Sequence, residues 1–143
     1  MSEPLRVSTG RPVVIDSSVA FKWFDASEPG AEVAESLLRE HQRDDVARLA
    51  PSLLLAEVVN ALVSRRTPVA DVERAIGFLA DVDVLIAPVD AALLTSAAQI
   101  ASAEGIALYD ATFIALAVIL DAELVTADRR QAATSACRVR LIG

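Results

Sequence analysis

Short runs of apolar, β-branched residues alternate along this chain with longer stretches whose apolar positions recur every three to four residues. Pro12-Val-Val-Ile-Asp16 is such a run, closed by an acid, and predicts a buried strand. Ser17 or Ser18 is placed to cap a helix reaching Trp23 or Phe24. Pro29-Gly30 opens a second helix with Val33, Ala34, Leu37 and Leu38 as its apolar stripe, fading in the polar run His41 to Asp45. Val46 to Ala50 predicts a weak strand. Pro51-Ser52 starts a strong helix that presents Leu54, Val58, Ala61 and Leu62 on one face and ends near Arg65-Arg66. A further helix starts at Pro68, a strand spans Val82 to Ala87, and Asp90 caps a helix that Gly105 terminates. Tyr109-Asp110 opens an apolar helix to Leu120. Glu123 to Thr126 is a strand, Asp128 is placed to cap a short helix, and Arg138 to Ile142 is the last strand.

Strands separated by one or two helices, with short runs that look buried on both faces, predict a three-layer α/β/α fold with a mostly parallel sheet. The 143 residues suit one domain, expected over residues 12–143 behind a polar leader, residues 1–11. In such sheets ligands bind beyond the carboxyl ends of the strands, where the strand order reverses. Asp16 and Asp128 each follow a predicted strand, so that edge is the place to look for chemistry.

Composition narrows the chemistry. Twenty acidic residues against thirteen basic give a net charge of -7, which argues against affinity for nucleic acid through bulk positive charge but leaves room for a nuclease whose acids gather in a metal site. Twelve of the basic residues are Arg, and Lys22 is the only Lys. Cys137 and His41 are each the sole residue of their type, so neither a disulfide nor a cysteine–histidine zinc site can form within the chain. Catalysis or metal binding must then run on carboxylates and hydroxyls. The opening Met1 to Arg6 lacks the apolar core of a signal peptide, and the longest apolar stretch, Phe113 to Leu120, falls short of the ~20 residues of a membrane span. A cytoplasmic protein without a membrane partner is expected.

Four acids stand where acids need a reason. Asp16 follows a buried strand, Glu57 lies at the border of an apolar helix face, Asp110 begins an apolar helix, and Asp128 follows Leu-Val-Thr-Ala. An unpaired buried carboxylate is costly, and no Lys or His lies near Glu57, Asp110 or Asp128 in sequence to offset it. Two like charges 4 Å apart repel by roughly 4 kcal/mol at an effective dielectric near 20, so converging acids require raised pKa values or a bound cation. Oxygen-only ligands favour Mg2+ or Mn2+ over zinc, and such a cation can activate water against a phosphodiester. Each of Asp16, Asp110 and Asp128 could instead simply cap the helix that follows it. Ser17, Asn60 and Thr126 are the accompanying polar residues, with cap, surface or strand roles as the alternative. His41, Asp81, Asp83 and Asp121 read as solvated, and Phe21, Trp23 and Phe24 as packing or dimer contacts.

Four segments together carry a resemblance. Val13-Val-Ile-Asp16-Ser-Ser-Val-Ala-Phe-Lys-Trp-Phe24 resembles the opening of PIN domains, particularly the VapC toxins of bacterial toxin–antitoxin pairs. Pro51-Ser-Leu-Leu-Leu-Ala-Glu57-Val-Val-Asn60-Ala-Leu62 is similar to their second acidic motif. Tyr109-Asp110-Ala-Thr-Phe-Ile-Ala-Leu-Ala117 resembles the third, and Leu124-Val-Thr126-Ala-Asp128-Arg129-Arg130 the fourth. The resemblance implies a PIN fold and a Mg2+- or Mn2+-dependent endoribonuclease. It implies a homodimer held by a small VapB-like antitoxin whose tail blocks the groove. It maps Asp16, Glu57 and Asp110 onto the core acids, Asp128 onto a more variable fourth, and Thr126 onto the accompanying hydroxyl. With so acidic a chain, RNA contacts fall to local patches, for which Lys22, Arg65, Arg66, Arg129 and Arg130 are candidates, with an ordinary solvated surface charge as the alternative for each.

Rival functions make different demands. A phosphoacceptor receiver domain needs a Lys late in the chain, and none follows Lys22. A non-catalytic interaction module with the PIN fold has no need to keep all four acids. A PIN nuclease of RNA processing, working without an antitoxin, shares the site and differs only in its partner.

Overall fold

The computed structural model describes residues 11–42 and 47–143. The predicted leader lies almost wholly outside the described residues, as do the side chain of His41 and the first residue of the strand expected from Val46. Among the described residues the order is β1 (Val13–Ile15), α1 (Ser17–Phe21), α2 (Ala31–Gln42), β2 (Arg48–Pro51), α3 (Leu53–Ser64) and α4 (Val69–Asp81). It continues with β3 (Leu85–Ala87), α5 (Ala91–Glu104), α6 (Leu108–Ile119), β4 (Glu123–Thr126), α7 (Arg129–Ala132) and β5 (Val139–Leu141). A 3-10 turn, Lys22–Phe24, continues α1.

The five strands form one sheet in the order β3-β2-β1-β4-β5, and every pairing is parallel. Val14 stands opposite Leu49 on one side and Leu124 on the other. The chain leaves β1 toward β2 and β3, then returns past it to β4 and β5. Parallel crossovers are right-handed, so connections running in opposite directions lie on opposite faces. That places α1 to α4 in one layer and α5 to α7 in the other, in keeping with the packing of α1 on α3, α3 on α4, α5 on α6 and α6 on α7. The strand order reverses between β1 and β4, with Asp16 just beyond one strand and Asp128 just beyond the other.

The core explains the alternating pattern. Val13, Val14 and Ile15 are buried, as is the whole run from Ala111 to Ala117 in α6. A helix apolar all round belongs in the interior, and α6 packs across β1, β2 and β4 with α5 covering it. Its one polar core residue, Thr112, donates its hydroxyl to the Leu108 carbonyl at 2.8 Å. The α5 ends are as expected. The Asp90 carboxylate accepts from the Leu93 N–H at 2.9 Å, and Gly105 stops the helix at a φ of 66°.

Three expectations are corrected. Asp16, rather than Ser17 or Ser18, caps α1, because its carboxylate accepts the Ser18 N–H, and α1 ends at Phe21 before the 3-10 turn. Pro51 closes β2 instead of opening α3, since its carbonyl neighbourhood pairs with β3 and the Ser52 N–H donates to the Ala87 carbonyl at 2.8 Å. β3 is shorter than predicted and is an edge strand. Leu85 and Ile86 are more than half exposed, so this apolar run is not buried on both faces.

Phe113 has no exposed surface at the centre of α6. Phe113→Ala is expected to destabilise the fold by about 3–5 kcal/mol in urea denaturation. A loss well under that range would mean that α6 is not the packed centre of the molecule.

Candidate active site

Asp16, Glu57, Asp110 and Asp128 line one open cleft of about 360 Å3 at the carboxyl edge of the sheet. Each comes from a different place. Asp16 stands between β1 and α1, Glu57 in the second turn of α3, Asp110 in the first turn of α6, and Asp128 at the entry to α7. Ser17, Phe21, Lys22, Glu28, Ala61 and Arg65 line the same cleft.

The Asp16 carboxylate is the most enclosed of the four, 4% exposed. Its Oδ2 accepts from the Ser18 N–H at 3.1 Å and from the Ser18 hydroxyl at 2.5 Å, with Thr126 Oγ1 3.3 Å away. All three contacts use Oδ2, so none of them engages Oδ1. Ser18 is itself held by the Ala127 N–H, which donates to its oxygen at 2.9 Å. Glu57 is held from the neighbouring residue, as the Ser17 hydroxyl donates to its Oε1 at 3.0 Å. Asp128 caps α7, its Oδ1 accepting from the Arg130 N–H at 2.8 Å and the Gln131 N–H at 3.4 Å. Asp110 does not cap α6. That position belongs to Ala107, and the Asp110 carboxylate accepts no hydrogen bond from the described residues.

Residues 13–136 match the PIN domain family. The chain belongs to the PIN-domain family. No curated protein matches it in sequence. Among solved structures it is similar to VapC20 of Mycobacterium tuberculosis, a sarcin–ricin loop cleaving toxin, with 18% identity over 90% of this chain and 98% of that one and a TM-score of 0.71. It is also similar to VapBC2 of Rickettsia felis bound to a DNA fragment from its promoter, with 13% identity over 92% and 99% and a TM-score of 0.70. A toxin–antitoxin complex from Klebsiella pneumoniae matches with 15% identity over 90% and 95% and a TM-score of 0.65. At these identities the likeness is one of fold, and its structural neighbours are VapC toxins.

Within this PIN domain the acids burden one another. Burial raises the Asp16 pKa, against the pull of its Ser18, Gln131 and Thr126 partners. Burial also raises Glu57, offset in part by the Ser17 bond and added to by the charges of Asp16 and Asp110. Asp110 is raised first by burial, then by Asp16 and Asp128, while Arg130 lowers it. No group of three or more Asp, Glu, His or Cys among the described residues is already gathered tightly enough to cage a metal ion. The donor set nevertheless suits a hard cation that keeps several waters and takes one or two carboxylates, which is how Mg2+ is usually held.

The other expected residues divide. Ser17 lines the cleft and Thr126 lies buried directly behind Asp16. Asn60 does not join them; it is exposed beside Leu55, Val59 and Val63 in an apolar hollow. Lys22 is buried, contrary to the solvated alternative, and its Nζ lies 3.9 Å from Glu28. Arg65 pairs with Glu28 at 3.0 Å and Asp25 at 3.4 Å, and its guanidinium stacks 4.2 Å over the Phe21 ring. Two cations of the cleft thus already face an internal anion. Arg129 and Arg130 are exposed on α7, and Arg66 is exposed outside the cleft. Trp23 and Phe24 pack edge-on against Phe78, as the packing alternative had it. Burial pushes the Cys137 thiol up to about 11, which leaves it unreactive. Ser18 and the buried Gln131 are the polar residues of the site that sequence reasoning did not assign to it. The only available signal was their position two residues after Asp16 and three residues after Asp128.

A folded pKa above the unfolded one favours folding when the group is protonated, and that benefit is lost as pH rises through the folded value. Metal-free protein should therefore carry a penalty at neutral pH from Asp16, Glu57 and Asp110. Asp110→Asn removes one of the repelling charges at little change in volume and breaks no cap. Its metal-free melting temperature at pH 7 is expected to equal or exceed that of wild type, with the advantage shrinking as pH falls through the folded Asp110 pKa. A clear drop in thermal melts at pH 7 would show that Asp110 is structural instead.

Proposed function

We propose that this PIN domain is a Mg2+- or Mn2+-dependent endoribonuclease, the toxin of a toxin–antitoxin pair, that hydrolyses RNA phosphodiester bonds at the Asp16 cleft. The observation that carries this reading is the convergence of acids from four separate elements on the switch point of the sheet, three of them raised by burial. Structural metal-free roles account for Asp16 and Asp128 as caps. They do not account for Asp110, a partly buried acid in the same cleft with no hydrogen-bond donor among the described residues.

Asp16, Glu57, Asp110 and Asp128 are the residues that would hold the cation. When bound, the cation supplies charge to offset the phosphodiester and lowers the pKa of an attacking water. The chain's own groups do the rest. Ser17 and Ser18 orient Glu57 and Asp16, and a carboxylate of the cleft accepts the proton that the attacking water loses. As the water oxygen bonds to phosphorus, the bond to the leaving ribose oxygen breaks, and that oxygen takes up a proton from solvent. Arg129 and Arg130, exposed beside the cleft, suit the RNA backbone on either side of the cut. Lys22 and Arg65 become available to a phosphate only if it displaces Glu28. The partners are RNA, a small VapB-like antitoxin and a second copy of the chain; toxin–antitoxin complexes among the structural neighbours support the antitoxin at the family level.

Purified protein is expected to cut total RNA at discrete sites with Mg2+ or Mn2+ and to stop in chelator. Asp16→Asn should lose more than the ~10–100-fold typical of disturbing residues around a metal site. Robust cleavage in chelator would sink the mechanism. Expression alone should arrest growth, and a small protein encoded beside it should copurify. A folded, RNA-cleaving chain that is harmless and has no such neighbour would point to RNA processing.

A further inference from the structure

Gln131 is 1% exposed and is explained neither by the helix cap at Asp128 nor by the apolar core. Its Nε2 donates to the backbone carbonyl of Asp110 at 3.0 Å. Its Oε1 lies 2.6 Å from Thr126 Oγ1. The orientation of the carboxamide follows from chemistry, because a backbone carbonyl only accepts. The amide nitrogen must face Asp110, so the amide oxygen faces Thr126, and Thr126 is the donor in the 2.6 Å bond. A threonine hydroxyl has one proton. The bond to Gln131 is the shorter of the two that this hydroxyl can make, since Asp16 Oδ2 stands farther off at 3.3 Å. The Thr126 oxygen in turn accepts the Asp128 N–H at 3.0 Å. One side chain therefore ties the end of β4 to the first turn of α6, the two places that flank Asp16 and carry Asp110.

We propose that Gln131 is a positioning residue of the acid cleft: by clamping Thr126 to the Asp110 backbone it sets the separation of the Asp16 and Asp110 carboxylates. The inference rests on the reading of the cleft as a cation site. It makes Gln131 a determinant of metal affinity although it is not a ligand.

The test uses the whole chain and Mn2+ as the probe, with affinity read from the electron paramagnetic resonance of free Mn2+ and stability read separately from metal-free melts. Gln131→Met keeps the length and removes both hydrogen bonds. Gln131→Asn keeps the polarity but is one methylene too short to span both partners, and it gives the same comparison should the Met variant fail to fold. Either variant is expected to bind Mn2+ about 10- to 100-fold more weakly, the range seen when residues around metal ligands are disturbed. Thr126→Val should weaken binding too. Combining it with Gln131→Met should add little, because both act through the same link. Variants that melt lower yet bind Mn2+ as tightly as wild type would overturn the proposal, leaving Gln131 a packing residue. Wild type that binds no Mn2+ at all would instead overturn the cation site itself, and this inference with it.

Discussion

The Asp16 carboxylate sits at the end of a strand flanked on both sides by other strands, where water is nearly excluded. An ionised group in such a place must be met by hydrogen bonds or by a counter-charge. The surroundings supply the first in quantity: the Ser18 backbone and side chain bond its Oδ2, and Thr126 stands close behind. They do not supply the second, since Lys22 and Arg65 turn to Glu28 and Asp25. Three further carboxylates are then brought to the same cleft. The arrangement makes little sense as stabilisation. It makes sense as a place held ready for a cation, where the fold bears the repulsion in the metal-free state.

Parallel topology makes that concentration possible. Every strand points its carboxyl end the same way, and the reversal of order between β1 and β4 leaves a gap that no crossover covers. Ser18 closes the back of that gap by linking Asp16 to the Ala127 N–H. Gln131 does so again between Thr126 and Asp110. The cleft is thus braced behind and open in front.

Much of this was legible in the chain. The β-branched runs at Val13 to Ile15 and Glu123 to Thr126 marked their strands, and Asp90 with Gly105 marked both ends of α5. The four acids could be singled out because each interrupts an apolar pattern. Less legible was what depends on partners distant in sequence. Leu85 and Ile86 look like a core strand, and only the sheet order makes them an exposed edge. Lys22 looks like a surface cation, yet it is buried against Glu28. Ser18 and Gln131 look like ordinary cap-region polar residues. Their roles come from meeting Ala127 and Asp110 across the fold. Capping and metal binding also make the same local demand, an acid just before a helix. For Asp16 and Asp128 the cap is real.

A divalent cation held on Asp16 is what the proposed chemistry of the cleft depends on. Anomalous diffraction from a crystal of this chain containing Mn2+ tests it most directly. A single strong peak is expected in the cleft, bonded to Asp16 and to at least one of Glu57, Asp110 and Asp128, at separations close to the ~2.0–2.1 Å of the similar Mg2+ site. A crystal at saturating Mn2+ with no peak among these acids, or with the ion bound elsewhere, would contradict it.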